Sequence, residues 1–228
     1  MTLPFWLRRG WPDRARLIAQ QPTLVQVSRK YPLTGRCLNA GCGEGLYISF
    51  IDSFPGVTEI VNTDLAGTVE RLKHLQLPRY LAVDASLTAL PFPDASFDSC
   101  VCTEVLEHIP DHEAAVRELS RCLRPGGRLL VSVPHPPAPF DPNHVREGYT
   151  LAEMSALLNR HGFAVVESGQ CLTLWMDILL RIWRWQHRVF GRGKQNFMPL
   201  IVVNVFGYAD RVIPLGRRWD LVVMAVRR

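Results

Sequence analysis

Three glycines at alternate positions, Gly41, Gly43 and Gly45, sit within the run Cys37-Leu-Asn-Ala-Gly-Cys-Gly-Glu-Gly-Leu-Tyr47. Apolar residues lead into them and a helix-compatible stretch follows, so the run reads as a strand, a tight turn and a helix start. Glycine there permits unusual φ values and leaves no Cβ between the backbone and a ligand. Free N–H groups at a helix start favour an anionic group. Asp64 follows nineteen residues after Gly45, where a strand-end carboxylate can accept hydrogen bonds from both hydroxyls of a ribose. Asp84 ends the next apolar run and supplies an acceptor where an adenine amino group would lie. Two strand-end acids beside a glycine turn suit a nucleoside better than a phosphate chain. No Lys-Ser/Thr follows the glycines, which removes the P-loop reading.

A second group lies in Glu104-Val-Leu-Glu107-His108. Glu104, Glu107 and His108 share one face if a helix begins there. Three readings stay open. The residues order a loop and cap the next helix; or His108 is a general base; or the group, with His144 of Asp141-Pro-Asn-His144, holds a divalent metal such as Mg, Mn or Zn through oxygen and imidazole ligands. Glu107, His108 and His144 are the catalytic candidates, and Glu104, Glu107, His108 and His144 the metal candidates.

These residues need a scaffold, and the pattern supplies one. Strands are expected over 36–40, 58–63, 80–83, 97–102, 128–133, 163–167 and 220–228. Helices are expected over 44–54, 66–75, 111–123 and 150–161. Thr150 and Glu153 form a capping box for the last of these. Strands alternating with helices at this spacing indicate an α/β fold with a parallel sheet covered on both faces. Binding residues then belong at the carboxyl ends of the strands.

The division expected is a basic helical lead-in over 1–34, a main domain over 35–174 completed by 218–228, and an apolar, basic insertion over 175–217. Pro12 suits the first turn of a lead-in helix over 12–30. In the insertion, Asp177, Arg181, Arg184 and Arg188 fall on one narrow helical stripe, with Trp, Leu and Ile around the remainder. Such a helix is expected to be buried in the fold or in a dimer, ahead of lying at a membrane surface.

Charge is unevenly placed along the 228 residues, which carry a formal net charge of +5. Residues 1–36 hold seven Lys/Arg against one acid, 37–170 nine against seventeen, and 171–228 ten against three. An anionic partner is therefore expected at the basic ends, a membrane surface before nucleic acid; no nucleic-acid motif is present. Six cysteines without a Cys-x-x-Cys pair suggest a reducing, cytoplasmic compartment. Arg8 and Arg9 cut short the first apolar run, so no signal peptide is read, and no uncharged stretch reaches membrane-spanning length.

Taken together, the motifs resemble those of the class I S-adenosylmethionine-dependent methyltransferases, most closely the broad group that includes the ubiquinone and menaquinone biosynthetic enzymes. The resemblance covers about 35–170 and the final strand. Leu38 to Gly45 is similar to the first motif of that family, Asp64 to its ribose-binding acid and Asp84-Ala85 to its adenine-contacting pair. Leu90 to Asp98 is similar to the approach to the fourth strand, and Leu123-Arg-Pro-Gly-Gly-Arg-Leu129 to the turn before the fifth. Asn39 departs from the pattern, where an acid is common; it lacks the charge that favours a nearby sulfonium.

The resemblance implies a Rossmann-like seven-stranded sheet, mostly parallel with an antiparallel last strand. It implies S-adenosyl-L-methionine as cofactor, bound by Asn39, Gly41, Cys42, Gly43, Gly45, Asp64, Leu65, Asp84, Ala85 and Thr103. Glu-x-x-Glu-His also resembles the metal-binding run of the small-RNA 2′-O-methyltransferases. The function implied is methyl transfer to a small or lipid-like acceptor, oxygen first, by a monomer or homodimer with peripheral membrane contact. Two rivals are a non-catalytic cofactor-binding protein of the same fold and an NAD(P)-dependent oxidoreductase. The second leaves Asp84-Ala85 and the Pro-Gly-Gly turn unexplained.

Overall fold

The computed structural model describes residues 12–69, 72, 79–139, 141–190 and 200–228. Seven strands form one sheet: β1 (Gly35–Ala40), β2 (Val57–Asp64), β3 (Tyr80–Asp84), β4 (Phe97–Thr103), β5 (Leu123–Pro134), β6 (Phe163–Cys171) and β7 (Asp220–Arg227). Their spatial order is β3-β2-β1-β4-β5-β7-β6. All pairs are parallel except those of β7, which runs antiparallel to both β5 and β6. The order reverses between β1 and β4, and a ligand crevice belongs at such a reversal, outside the carboxyl ends of the strands.

The six helices of the described residues are α1 (Pro12–Ser28), α2 (Ile48–Asp52), α3 (His112–Cys122), α4 (Leu151–Arg160), α5 (Leu174–Phe190) and α6 (Leu200–Val212). Strand side chains alternate between two buried layers. On one side lie Cys37, Val101, Leu130, Val222 and Met224, packed with residues of α1, α2, α5 and α6. On the other lie Leu38, Cys100, Leu129, Val131 and Val223, packed with residues of α3 and α4. Successive residues thus bury on opposite faces, which is why these strands read as near-continuous apolar runs. Each fully buried aliphatic side chain contributes on the order of 1.5–3 kcal/mol.

Local signals act as chemistry requires. Thr150 accepts from the Glu153 amide while the Glu153 carboxylate accepts from the Thr150 amide at 2.8 Å, completing the capping box of α4. Asp111 caps α3 by accepting from Ala114 N–H at 2.9 Å. Asp210 of α6 caps α5 from a distance, accepting from Thr173 N–H at 2.9 Å, Thr173 Oγ1 at 2.6 Å and Met176 N–H at 3.2 Å. Gly207 lets α6 approach α1 closely: a Cβ there would lie 2.9 Å from the Ala15 carbonyl oxygen.

Some bounds differ from expectation. The helix after β1 starts only at Ile48, because the preceding turn closes on itself with Gly45 N–H donating to Cys42 O and Ile48 N–H to Gly45 O. Strand β5 begins at Leu123 rather than Arg128, since Leu123 already pairs with Phe97; Arg124 to Gly127 then bulge out, with Gly126 at φ +77°, before the ladder resumes between Ser99 and Arg128. Most of the helix expected over 66–75 lies outside the described residues, as do residues 1–11 of the lead-in; Ala66 to Val69 form a turn. No helix among the described residues is long and apolar enough to cross a membrane.

Candidate active site

The glycine turn leaves β1 at the sheet's reversal point. Gly41, Gly43 and Gly45 all have positive φ, +69°, +51° and +84°. Two of them answer to packing: a Cβ on Gly41 would overlap Val105, and one on Gly45 would lie 2.7 Å from Ile48 Cδ1. Gly43 is different. A Cβ there would meet nothing within 4 Å, so this glycine faces open space, as a cradle for a ligand does.

Asp64 closes the cradle. Its Oδ2 accepts from Gly43 N–H at 2.8 Å and its Oδ1 from Leu65 N–H at 2.7 Å. Ala85 N–H donates to the Asp64 carbonyl at 2.8 Å, so the ends of β2 and β3 are tied together. Asp64 and Asp84 are register partners, Asp84 and Leu65 are exposed, and Ala85 is half-buried. Cys42 is buried beneath the turn, its N–H on the Thr63 carbonyl at 3.0 Å. Burial raises its thiol pKa, so Cys42 packs and does not ionise. Thr103 is buried at the end of β4. Asn39 is buried in the sheet and donates to Asn62 Oδ1 at 2.8 Å. An amide here donates to the neighbouring amide oxygen, which an ionised carboxylate, an acceptor only, could not do.

Glu104 follows β4 in a left-handed conformation, φ +56°, a strain of about 1–3 kcal/mol for a residue other than glycine. It accepts from Ser132 Oγ at 2.9 Å and pairs with Arg16 of α1 at 3.2 Å. Glu107 and His108 lie in a short 3-10 turn, Leu106–His108. The single helical face expected for Glu104, Glu107 and His108 therefore does not form: Glu104 precedes the turn and aims at α1 and β5.

Instead the fold gathers Glu107, His108 and His144, whose ligand atoms lie within 4.8 Å of one another. The loop after β5 brings His144 there. Val145 N–H donates to Glu107 O at 3.0 Å, Arg146 donates to the carbonyls of Leu106, Ile109 and Pro110, and His108 Nδ1 contacts Asn143 O at 3.1 Å. The imidazoles of His108 and His144 pack edge to face at 4.7 Å. Both Glu107 carboxyl oxygens are buried without a hydrogen-bond partner. Burial and the charge of Glu104 push its pKa well above the usual carboxylate range. Burial and the neighbouring His108 lower that of His144. An orphaned carboxyl facing two imidazoles fits a divalent cation in donor type.

A cavity of about 550 Å³ opens beside this group. Glu104, Arg16, His144, Trp219 and the α5 residues Trp183 and Arg184 are part of its wall. Behind it runs a polar network that no motif announced. Gln20 of α1 donates to Asp220 Oδ2 at 2.9 Å, Tyr47 donates to Gln20 Oε1, and Cys171 Sγ lies 3.2 Å from the same Asp220 oxygen. Burial and the Glu104 carboxylate hold Asp220 well above the ordinary carboxylate range. The sequence signal was weak: a lone Asp opening an apolar strand and a lone Gln in a helix.

Comparison with known proteins bears on the family and the fold. The family model described as a methyltransferase domain matches residues 38–131. A probable S-adenosylmethionine-dependent methyltransferase of Mycobacterium tuberculosis is 35% identical over 57% of this chain and 48% of its own. The chain thus spans about half the length of that relative. A ubiquinone biosynthesis O-methyltransferase of Xanthomonas oryzae pv. oryzae is 34% identical over 86% of this chain and 88% of its own. Among solved structures, the (4+2)-cyclase SpnF aligns with a TM-score of 0.62 at 17% identity, over 93% of this chain and 80% of its own. That likeness concerns the fold alone, and one fold hosts several reactions.

Proposed function

This chain belongs to the S-adenosylmethionine-dependent methyltransferase family, and on that premise we propose that it moves a methyl group from S-adenosylmethionine to an oxygen of a small or lipid-like acceptor. The observation that carries the cofactor assignment is the open face of Gly43 beside Asp64. A nucleoside laid there meets backbone without a Cβ, with Asp64 for the ribose and Asp84-Ala85 at the base. The cofactor supplies an activated methyl group, so the chain's part is alignment and exclusion of water.

The cavity beside Glu104 and His144 is the acceptor space in this reading. Trp183, Leu180 and Trp219 supply apolar walls, and α1 closes it through Arg16. The reading that the insertion shapes the acceptor pocket is supported by α5 lining it. Oxygen as the methylated atom is supported by the name of the Xanthomonas relative, an O-methyltransferase. All six cysteines are buried thiols without a disulfide, which supports a cytoplasmic setting.

His144, kept neutral by burial, takes the acceptor proton if one must leave. A second reading is favoured by the unpartnered carboxyl of Glu107: Glu107, His108 and His144 hold a divalent cation. Such an ion would lower the pKa of an acceptor hydroxyl.

Calorimetry with S-adenosylhomocysteine and with NAD tests the cofactor. Binding of the first and not the second is expected; tight NAD binding with no response to S-adenosylhomocysteine would falsify the assignment. Labelled cofactor incubated with fractionated host metabolites then identifies the acceptor, and label remaining in the cofactor in every fraction would favour a binding protein without turnover.

A further inference from the structure

Helix α6 carries two unlike faces. Val203, Gly207 and Asp210 are buried, the glycine against α1 and the aspartate capping α5. Ile201, Val205, Tyr208 and Val212, at spacings of four, three and four, are exposed; Ile201 and Val212 reach 70% and 71%. That is one continuous stripe of a helix turned away from the core. The neighbouring α5 exposes Ile182 and Val189 as well. Such a stripe needs a reason, since an isolated exposed Leu or Val is ordinary but an aligned set is not.

The segment that carries it is strongly basic. Residues 171–228 contain ten Lys/Arg and three acids. Asp210 and Asp220 are buried, and Asp177 is paired with Arg181 at 2.9 Å. No acid of this region is left to balance Arg188, Arg211 and Arg218, all exposed.

We infer that the exposed faces of α5 and α6 dock the protein on an anionic lipid bilayer, with the aliphatic stripe at the acyl boundary and the arginines among the headgroups. Helices with an aliphatic face and an arginine-rich flank lie in the interfacial plane in this way, held by apolar burial together with attraction to anionic lipid. A second copy fits less well. A two-fold interface apposes the patch to itself, so its arginine-rich flanks would face one another. The surface also has a functional neighbour: α5 lines the 550 Å³ cavity with Leu180, Trp183 and Arg188. An acceptor held in lipid would reach the cavity along that helix. The inference goes beyond the methyl-transfer reading and stands without it.

Co-sedimentation of the full chain with vesicles of pure phosphatidylglycerol or pure phosphatidylcholine tests it. Binding to phosphatidylglycerol is expected, weaker on phosphatidylcholine and reversed by salt. Arg211→Gln weakens it roughly fivefold, and Ile201→Asp with Val212→Asp abolishes it. Both positions are exposed, so the fold and the affinity for S-adenosylhomocysteine stay as they were. Failure to sediment with phosphatidylglycerol, or unchanged sedimentation of the double variant, overturns the inference. So does a dimer, seen by light scattering and lost in the double variant, in a chain that ignores vesicles.

Discussion

The Gly43 amide points at the Asp64 carboxylate across 2.8 Å, joining the turn after β1 to the end of β2. The same carboxylate shapes the turn and, in the proposed function, would also hold the ribose. Asp64→Ala is expected to weaken S-adenosylhomocysteine binding about 10- to 100-fold, the usual worth of hydrogen bonds to a charged group. The circular dichroism spectrum is expected to stay that of the parent. Unchanged affinity in calorimetry would remove Asp64 from the site.

Gly43→Ala separates ligand space from folding. No protein atom lies within 4 Å of the added methyl, so the cost to stability is the left-handed backbone alone, about 1–2 kcal/mol. The methyl occupies the proposed nucleoside space, and cofactor affinity should fall by far more than melting temperature. Equal affinity for parent and variant would place the ligand elsewhere.

Glu107 makes stability depend on pH in a stated direction. Its folded-state pKa is raised, so below about pH 4.3 both states are protonated and nothing is lost. As pH rises, the unfolded chain ionises first, and stability falls by about 1.4 kcal/mol per unit until the folded group also ionises. Glu107→Gln is expected to flatten this slope and raise the melting temperature at neutral pH. Denaturation curves at several pH values check it, and a parallel slope in the variant would contradict the burial argument.

The metal reading makes a different demand on the same residues. A divalent cation at about 100 times its dissociation constant stabilises by about 2.7 kcal/mol, or roughly 5–10 °C in a chain of this size. Mn, Mg and Zn should be tried in turn by thermal shift. The rise should vanish in His144→Ala, and chelation should abolish activity. Full activity in EDTA, with no thermal response to any of the three, ends the metal reading and leaves the loop-ordering contacts of His108.

The pH dependence of the reaction bears on His144. Its pKa lies below the ordinary imidazole value of 6.5, so the neutral form prevails at neutral pH. As base or as ligand it needs that form, and kcat/KM should therefore fall only on the acid side of 6.5. His144→Ala should remove this limb and, if the residue is the base, cost about 10²–10⁴ in rate. An acid limb that survives in His144→Ala assigns it to another group.

How much of this was legible beforehand depends on the range of the interaction. The capping box of Thr150 and Glu153 and the Asp177–Arg181 pair are three and four residues apart, and local spacing predicts them. The alternating strands and the acids at their ends were equally plain, because burial on both faces leaves a periodic trace. The shared helical face of Glu104, Glu107 and His108 holds only if a helix begins at Glu104, and its left-handed backbone prevents that; a glutamate gives no sign of such a conformation in sequence. Asp220, Gln20 and Tyr47 carry no local trace at all. They become partners only when β7 enters between β5 and β6 and α1 settles on that end of the sheet.

That last tie spans 200 residues between Gln20 and Asp220. During synthesis α1 precedes β7 by most of that interval and must wait for it. The glycine turn and its aspartates are synthesised well before Trp219 and the α5 residues that complete the cavity wall.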